Sequence, residues 1–232
     1  MKYTINPLWP TLVTIIDVEE DTDELMNHND FQTSHSNLKN KLLSEKHNDL
    51  FTNITPFGRN KRLLEQYPRI RDILLDKFKY IARTELGYKE RDYLITTSWL
   101  TFNPPGGSAQ LHCHRNSFWS GVYYYHDNYG DDSGEISFEN PLEDKWDFFF
   151  DEPDIETSNE FNAGSWRFKP QKKKLILFPS YLRHSVCLNE SNDIRYSLAF
   201  NIVPLGRWGN VDSTYDMAWS STKYFSNLAD KQ

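Results

Sequence analysis

From residue 93 to residue 204 the chain runs in short stretches of apolar, aromatic and β-branched residues, each closed by turn-forming ones. Strand-like stretches fall at 109–114, 120–126, 134–139, 165–169, 174–179 and 195–203. Residues 93–102 make another, ahead of the turn Pro104-Pro105-Gly106-Gly107. Stretches this short cannot bury themselves. Each must pair in a sheet and hide one face, so a succession of them calls for two packed sheets or a barrel. The clearest helix signal lies upstream. Pro68 suits a first helical turn, Ile70, Ile73, Leu74, Phe78 and Ile81 form one apolar stripe, and Gly87 supplies a stop. This predicts a helix from 68 to about 86, long enough to back a sheet. Leu12-Val13-Thr14-Ile15-Ile16 reads as a strand added to a sheet, and a further helix is expected around residues 36–50 of the polar segment 19–60. The fold class is α+β and β-rich.

No Ser/Gly-rich or Pro-rich run, repeat or low-complexity tract divides the 232 residues. One domain is expected over 1–232, with a helix-rich part at 1–90, a β core at 91–206 and a C-terminal extension at 207–232. The 15% aromatic content argues against disorder. With 26 Lys and Arg against 33 Asp and Glu, the net charge of −7 weighs against general nucleic-acid or anionic-membrane binding. Lys172-Lys173-Lys174 reads as a solvated turn. No apolar run approaches the roughly 20 residues that span a bilayer, and residues 1–10 lack the pattern of a secretory signal. Cys113 and Cys187 make no disulfide framework and read as inert buried thiols. A cytoplasmic location is expected, and the sequence gives no oligomeric state. Residues 140–164 are acidic and aromatic, either a lid or an insertion packed on the core. Trp146, Phe148, Phe149, Phe150 and Trp166 could frame an apolar or peptide-binding cleft or belong to the core.

Three constellations carry chemistry. In Leu111-His112-Cys113-His114 the two histidines stand at i and i+2, so on a strand they project together and can share a divalent metal. The strand Leu175-Ile176-Leu177-Phe178-Pro179 is followed five residues on by His184, a third imidazole in a loop or at the next strand start. In Arg195-Tyr196-Ser197-Leu198-Ala199-Phe200-Asn201, alternation places Arg195, Ser197, Ala199 and Asn201 on one face and three apolar residues on the other. The first face looks like a pocket wall whose guanidinium fork and hydroxyl suit a carboxylate. Each constellation has a plainer reading as well: histidines on a solvated strand, a surface histidine, an arginine paired on an exposed sheet.

Taken in order, H-x-H, S-G-V-Y-Y (residues 120–124), L-F-P-S…H and R-x-S-x-A-F-N resemble a group of 2-oxoglutarate–Fe(II) oxygenases related to prolyl hydroxylases. The resemblance covers residues 99–204. It implies a double-stranded β-helix, or jelly roll, with the N-terminal helices packed on the major sheet. It implies Fe(II) held by His112 and His184, with 2-oxoglutarate as co-substrate and ascorbate as an accessory reductant. It also implies that Arg195 and Ser197 hold the distal carboxylate of 2-oxoglutarate, with the Tyr124 hydroxyl as a further donor. The expected reaction is hydroxylation of a C–H bond in a small-molecule or peptidyl substrate, with 2-oxoglutarate and O2 converted to succinate and CO2. The wider superfamily has a carboxylate where this chain has His114. The third ligand is then His114 itself, favoured by its parity with His112, or an acid such as Asp127 or Glu135. Two other readings stay open: a cupin-type three-His enzyme without 2-oxoglutarate, and a non-catalytic β-helix binding module. The first lacks its usual acid after H-x-H, since residues 115–119 are Arg-Asn-Ser-Phe-Trp.

Overall fold

The computed structural model describes residues 1–5, 10–26, 61–142 and 156–216. The helix expected at 36–50, Trp146 and Phe148 to Phe150 lie outside them, as does most of the proposed lid. The described residues form three layers. One α-helix, α1 (Pro68–Thr84), lies on a five-stranded antiparallel sheet, and a four-stranded antiparallel sheet faces the other side. The major sheet has the order β1-β7-β4-β9-β2, with β1 at Thr14–Asp17, β2 at Tyr93–Asn103, β4 at Trp119–Tyr123, β7 at Lys174–Pro179 and β9 at Arg195–Pro204. The minor sheet has the order β3-β8-β5-β6, with β3 at Ala109–His112, β5 at Ile136–Glu139, β6 at Ser165–Phe168 and β8 at His184–Val186. A two-stranded ribbon, β10 (Arg207–Trp208) with β11 (Tyr215–Asp216), follows. Two facing antiparallel sheets with strands crossing between them make a jelly roll. Besides α1, the described residues include short 3-10 turns at Asp23–Leu25 and Leu63–Glu65.

The helix forms where its stripe predicts. Pro68 opens it, and Ile70, Leu74, Phe78 and Ile81 are buried. It stops two residues short of the expected end, because Gly87 takes φ +66° and Leu86 N–H turns back to Ile81 C=O at 3.2 Å. Phe78 is the anchor, meeting Tyr93 edge-on at 4.9 Å and Trp119 at 5.6 Å between ring centroids. The core between α1 and the major sheet takes alternate residues of every strand, Tyr123 from β4, Leu175 and Leu177 from β7, and Tyr196, Leu198, Phe200 and Ile202 from β9. A smaller apolar cluster, with Ile176 and Phe178 from one sheet and Ile136 and Phe138 from the other, closes the space between the sheets at one end. The other end is left for polar side chains.

The strand β2 departs from simple alternation. Its pairing with β9 slips between Ile95 and Thr97, a one-residue bulge at Thr96. Before the bulge Tyr93 and Ile95 face the helix. After it Leu100 and Phe102 do, so the parity has changed. The bulge therefore turns Thr97, Trp99, Thr101 and Asn103 to the inner face, opposite Asn201, Ala199, Ser197 and Arg195 of β9. The lysine turn behaves as expected: Lys172 pairs with Asp127 and Lys174 with Asp17, so the run is no free basic patch.

Replacing Phe78 by alanine should lower the unfolding free energy by about 3–5 kcal/mol, because it removes a fully buried ring that touches both β2 and β4. Urea denaturation measures this. A loss under about 1 kcal/mol would mean that the helix is not anchored through this ring.

Candidate metal centre and anion pocket

Three imidazoles meet at the polar end of the inter-sheet space. His112 ends β3 and His184 begins β8, and the two are paired across the ladder. Their ring centroids are 4.3 Å apart. His114 lies two residues past the end of β3, yet its N–H still donates to Ser180 C=O at 2.8 Å, which holds the chain extended. Its ring stacks on His112 at 5.2 Å and 22° and lies 5.1 Å from His184. One ligand atom from each of the three residues falls within 4.8 Å of the others.

The tautomers are set by what surrounds the rings. His112 Nδ1–H donates to Gln110 C=O at 2.7 Å, and His184 Nδ1–H donates to Leu182 C=O at 2.9 Å. A carbonyl oxygen can only accept, so the proton sits on Nδ1 in each ring. His114 Nδ1–H donates to Asn201 Oδ1 at 2.5 Å, while the Asn201 amide N–H donates to Thr97 Oγ1 at 2.9 Å. Ser120 Oγ adds a bond to the same Oδ1 at 2.9 Å and contacts Ser180 Oγ at 2.8 Å. Every ring thus keeps its Nε2 lone pair for another partner. Burial holds the His184 imidazole down at about 3, against an ordinary 6.5, with the other two histidines adding to the effect and the Leu182 bond opposing it. Burial also lowers His114, opposed by its Asn201 bond. Both are neutral near pH 7, the form that binds metal.

A second feature lies alongside. Arg195 is 1% exposed. Its Nε–H donates to Gly134 C=O at 2.8 Å and one terminal nitrogen to the Tyr124 hydroxyl at 2.8 Å. The other terminal nitrogen reaches Asn103 Oδ1 and Ser197 Oγ, each at 3.4 Å. All of these partners are neutral, and among the described residues no carboxylate pairs with Arg195. A buried guanidinium without a counter-ion is costly, and the cost falls if an anion occupies the site. Tyr124 is itself fully buried. Burial raises its hydroxyl, partly offset by the neighbouring charge, so it keeps its proton and can donate it onward. Gly134 holds the Nε contact at φ +65°, and a Cβ there would meet Cys187 C=O at 2.7 Å.

Residues 97–201 match the family model described as putative 2OG-Fe(II) oxygenase. Residues 97–201 carry the pattern of a 2OG-Fe(II) oxygenase domain. No curated protein matches the sequence significantly. Among solved structures, the fold is similar to the non-heme alpha-ketoglutarate-dependent epimerase SnoN from nogalamycin biosynthesis, at 9% identity and TM-score 0.52, covering 86% of this chain and 82% of that one. It is similar to iron-bound HygX from Streptomyces hygroscopicus at 12% identity and TM-score 0.50, covering 84% and 83%. The match to an oxidoreductase of the 2OG-Fe(II) oxygenase family from Burkholderia pseudomallei has 15% identity and TM-score 0.40, and spans 60% of this chain and 54% of that one. The likenesses to SnoN and HygX bear on the fold. An oxygenase domain of this family is an oxidoreductase that uses Fe(II) and 2-oxoglutarate, and the donor set here fits both: three free Nε2 atoms for a divalent ion, and an uncompensated guanidinium for a carboxylate.

The structure brings together His112, His114 and His184, and separately Arg195, Ser197 and Tyr124. Neither Asp127 nor Glu135 joins the imidazoles, and Asp127 is paired with Lys172. Trp166 is 49% exposed on β6, so it is not core. Cys113 and Cys187 are half-buried free thiols. Sequence reasoning missed the oxygenase domain's Thr97, Trp99, Thr101 and Asn103, because the bulge at Thr96 reverses their facing. It also missed what Asn201 does: its face was legible, but its bond to His114 was not.

Because His184 titrates far lower folded than unfolded, the metal-free folded state binds fewer protons than the unfolded chain between about pH 3 and 6.5. Its neutral burial is therefore fully tolerated above 6.5 and lost progressively as the pH falls through that window. From about pH 7 to about pH 5, wild type should lose on the order of 2 kcal/mol more than His184→Gln, read by urea denaturation in the presence of a chelator. Parallel losses would refute this assignment.

Proposed function

We propose that the protein is an Fe(II)- and 2-oxoglutarate-dependent dioxygenase that hydroxylates a C–H bond, with His112, His114 and His184 as the metal ligands through Nε2. Arg195 holds the distal carboxylate of 2-oxoglutarate, with Ser197 and Tyr124 as hydroxyl donors beside it. The whole chain is read as one oxygenase domain, acting on a small-molecule or peptidyl substrate. The observation that carries this reading is the buried Arg195 guanidinium with only neutral partners, within the same inner face as the imidazoles. A three-His centre that did without 2-oxoglutarate would leave that charge with no purpose.

The bound metal supplies the O2 chemistry that couples conversion of 2-oxoglutarate to succinate and CO2 with oxidation of the substrate. The chain's own residues do the rest. The Nδ1 bonds to Gln110, Leu182 and Asn201 fix each ring's direction, so no ligand has to reorient on binding. The Tyr124 hydroxyl, already accepting from Arg195, has its proton free for the carboxylate, so the anion meets a preset donor pair. The apolar cluster of Ile136, Phe138, Ile176 and Phe178 keeps water from one side of the pocket, which strengthens the charge contacts within it.

The test is anaerobic titration of Fe(II)-loaded protein with 2-oxoglutarate, followed by the visible metal-to-ligand charge-transfer band. The band should appear in wild type. Arg195→Ala should weaken 2-oxoglutarate binding about 100-fold, as expected when one side of a buried charge pair is removed. Tyr124→Phe, which keeps the ring and so the packing, should weaken it about 3- to 10-fold. His114→Ala should bind Fe(II) less tightly. A folded, iron-loaded protein that gives no band would overturn the proposal.

A further inference from the structure

A cavity of about 340 Å³ opens beside His114. Thr97, Trp99, Arg115, Ser117 and Asn201 line it along with the imidazole. Its volume lies in the range of small-molecule sites. The chemistry of its wall is one-sided. The lining includes hydroxyls, amides, an indole and a guanidinium, and no acid. Arg115 is exposed, and among the described residues no carboxylate pairs with it. Trp99 carries a second cation, the Lys61 ammonium 5.3 Å from its ring centroid. Lys61 is held there by its backbone, whose carbonyl accepts from Ser98 N–H at 2.8 Å. Among the described residues no carboxylate pairs with Lys61 either.

What sets Arg115 and Lys61 apart, in a chain of net charge −7, is that both stand by one cavity whose lining holds no acid. Elsewhere lysines meet acids directly, Lys77 with Glu20, Lys169 with Asp131, Lys172 with Asp127 and Lys174 with Asp17. The neighbouring imidazoles add no negative charge, where a ligating carboxylate would repel an anion entering beside it. Positive charge left uncompensated around a concave site draws and holds anions.

We propose that this cavity is the substrate site and that the substrate is a small organic anion, its carboxylate or phosphate held by Arg115 and Lys61 and its body lying against Trp99. This deepens the dioxygenase reading and rests on it. Trp99, Arg115 and Lys61 are residues for selecting and placing the substrate, apart from the 2-oxoglutarate anchor.

Probes that share a benzyl or phenyl body separate the possibilities: phenylacetate, phenyl phosphate, neutral benzyl alcohol and cationic benzylamine. Each is titrated by calorimetry into Fe(II)-loaded protein saturated with 2-oxoglutarate under anaerobic conditions, so that the Arg195 pocket is already filled. At least one anion should bind about tenfold or more tightly than benzyl alcohol, and which of the two does so identifies the headgroup. Arg115→Glu should remove that preference and favour benzylamine, and Lys61→Glu should act in the same direction. Both side chains are exposed, so neither variant should unfold the protein, and circular dichroism checks this. Anions that bind no better than the alcohol, or an anion preference that survives both charge reversals, would overturn the proposal. The charge-transfer band, recorded on the same samples, keeps the two readings apart. A band with no anion preference sinks this site alone, and an Arg115-dependent preference without a band sinks the 2-oxoglutarate reading alone.

Discussion

The two-residue period of β9 is the constraint on which the rest of the molecule depends. This strand lies between β4 and β2, with hydrogen-bonded neighbours on both sides. Tyr196, Leu198, Phe200 and Ile202 fill the layer under the helix, while Arg195, Ser197 and Asn201 build the site on the opposite face. A one-residue slip would drive Arg195 into the apolar layer and lift four large side chains out of it, so the register is tightly specified. Gly121 of β4 belongs to the same constraint. A Cβ at that position would clash with the Phe200 ring, so the neighbouring strand gives up a side chain to let the aromatic seat fully. Core packing and site geometry are one problem solved by one strand.

Much of this was legible because it is local. The H-x-H spacing, the apolar run before His184 and the alternation from Arg195 to Asn201 each need only the geometry of an extended chain. The stripe of α1 needs only the helical period. The illegible parts depend on partners far along the chain. Nothing in Tyr93 to Asn103 read alone marks Thr96 as a bulge. Only the demand that Tyr93, Ile95, Leu100 and Phe102 all reach the same apolar layer forces one extra residue between them. Trp99, which a strict alternation from Tyr93 would send to the core, comes to the site instead. His114 likewise outran the strand that was expected to carry it. Its position comes from the Ser180 carbonyl and not from pairing in β3.

The two kinds of charge in the site follow from burial. Neutral imidazoles tolerate low dielectric, and burial itself keeps them neutral, as the depressed titration of His184 shows. A guanidinium has no such escape, because it cannot shed its proton. Arg195 is instead spread over four neutral acceptors, from Gly134, Tyr124, Asn103 and Ser197. Neutral acceptors satisfy the N–H groups but not the charge. The pocket is therefore preorganised and electrostatically incomplete, a state that suits the binding of an anion.

The three imidazoles are not held in the same way, and the difference ties the centre to the fold. His112 and His184 each bond to a carbonyl two residues upstream, Gln110 and Leu182, so their rings are set by their own segments. His114 is set by Asn201, which in turn is fixed by Thr97 on β2 and by Ser120 on β4, with Ser180 behind. Four segments that are distant in sequence must come together before this ring points at the other two. Asn201 also accounts for the residue type at position 114. With its amide N–H given to Thr97, it presents an oxygen, and an oxygen welcomes an imidazole N–H where it would repel a carboxylate. The histidine at position 114 is thus matched by an acceptor behind it, and the two are parts of one arrangement.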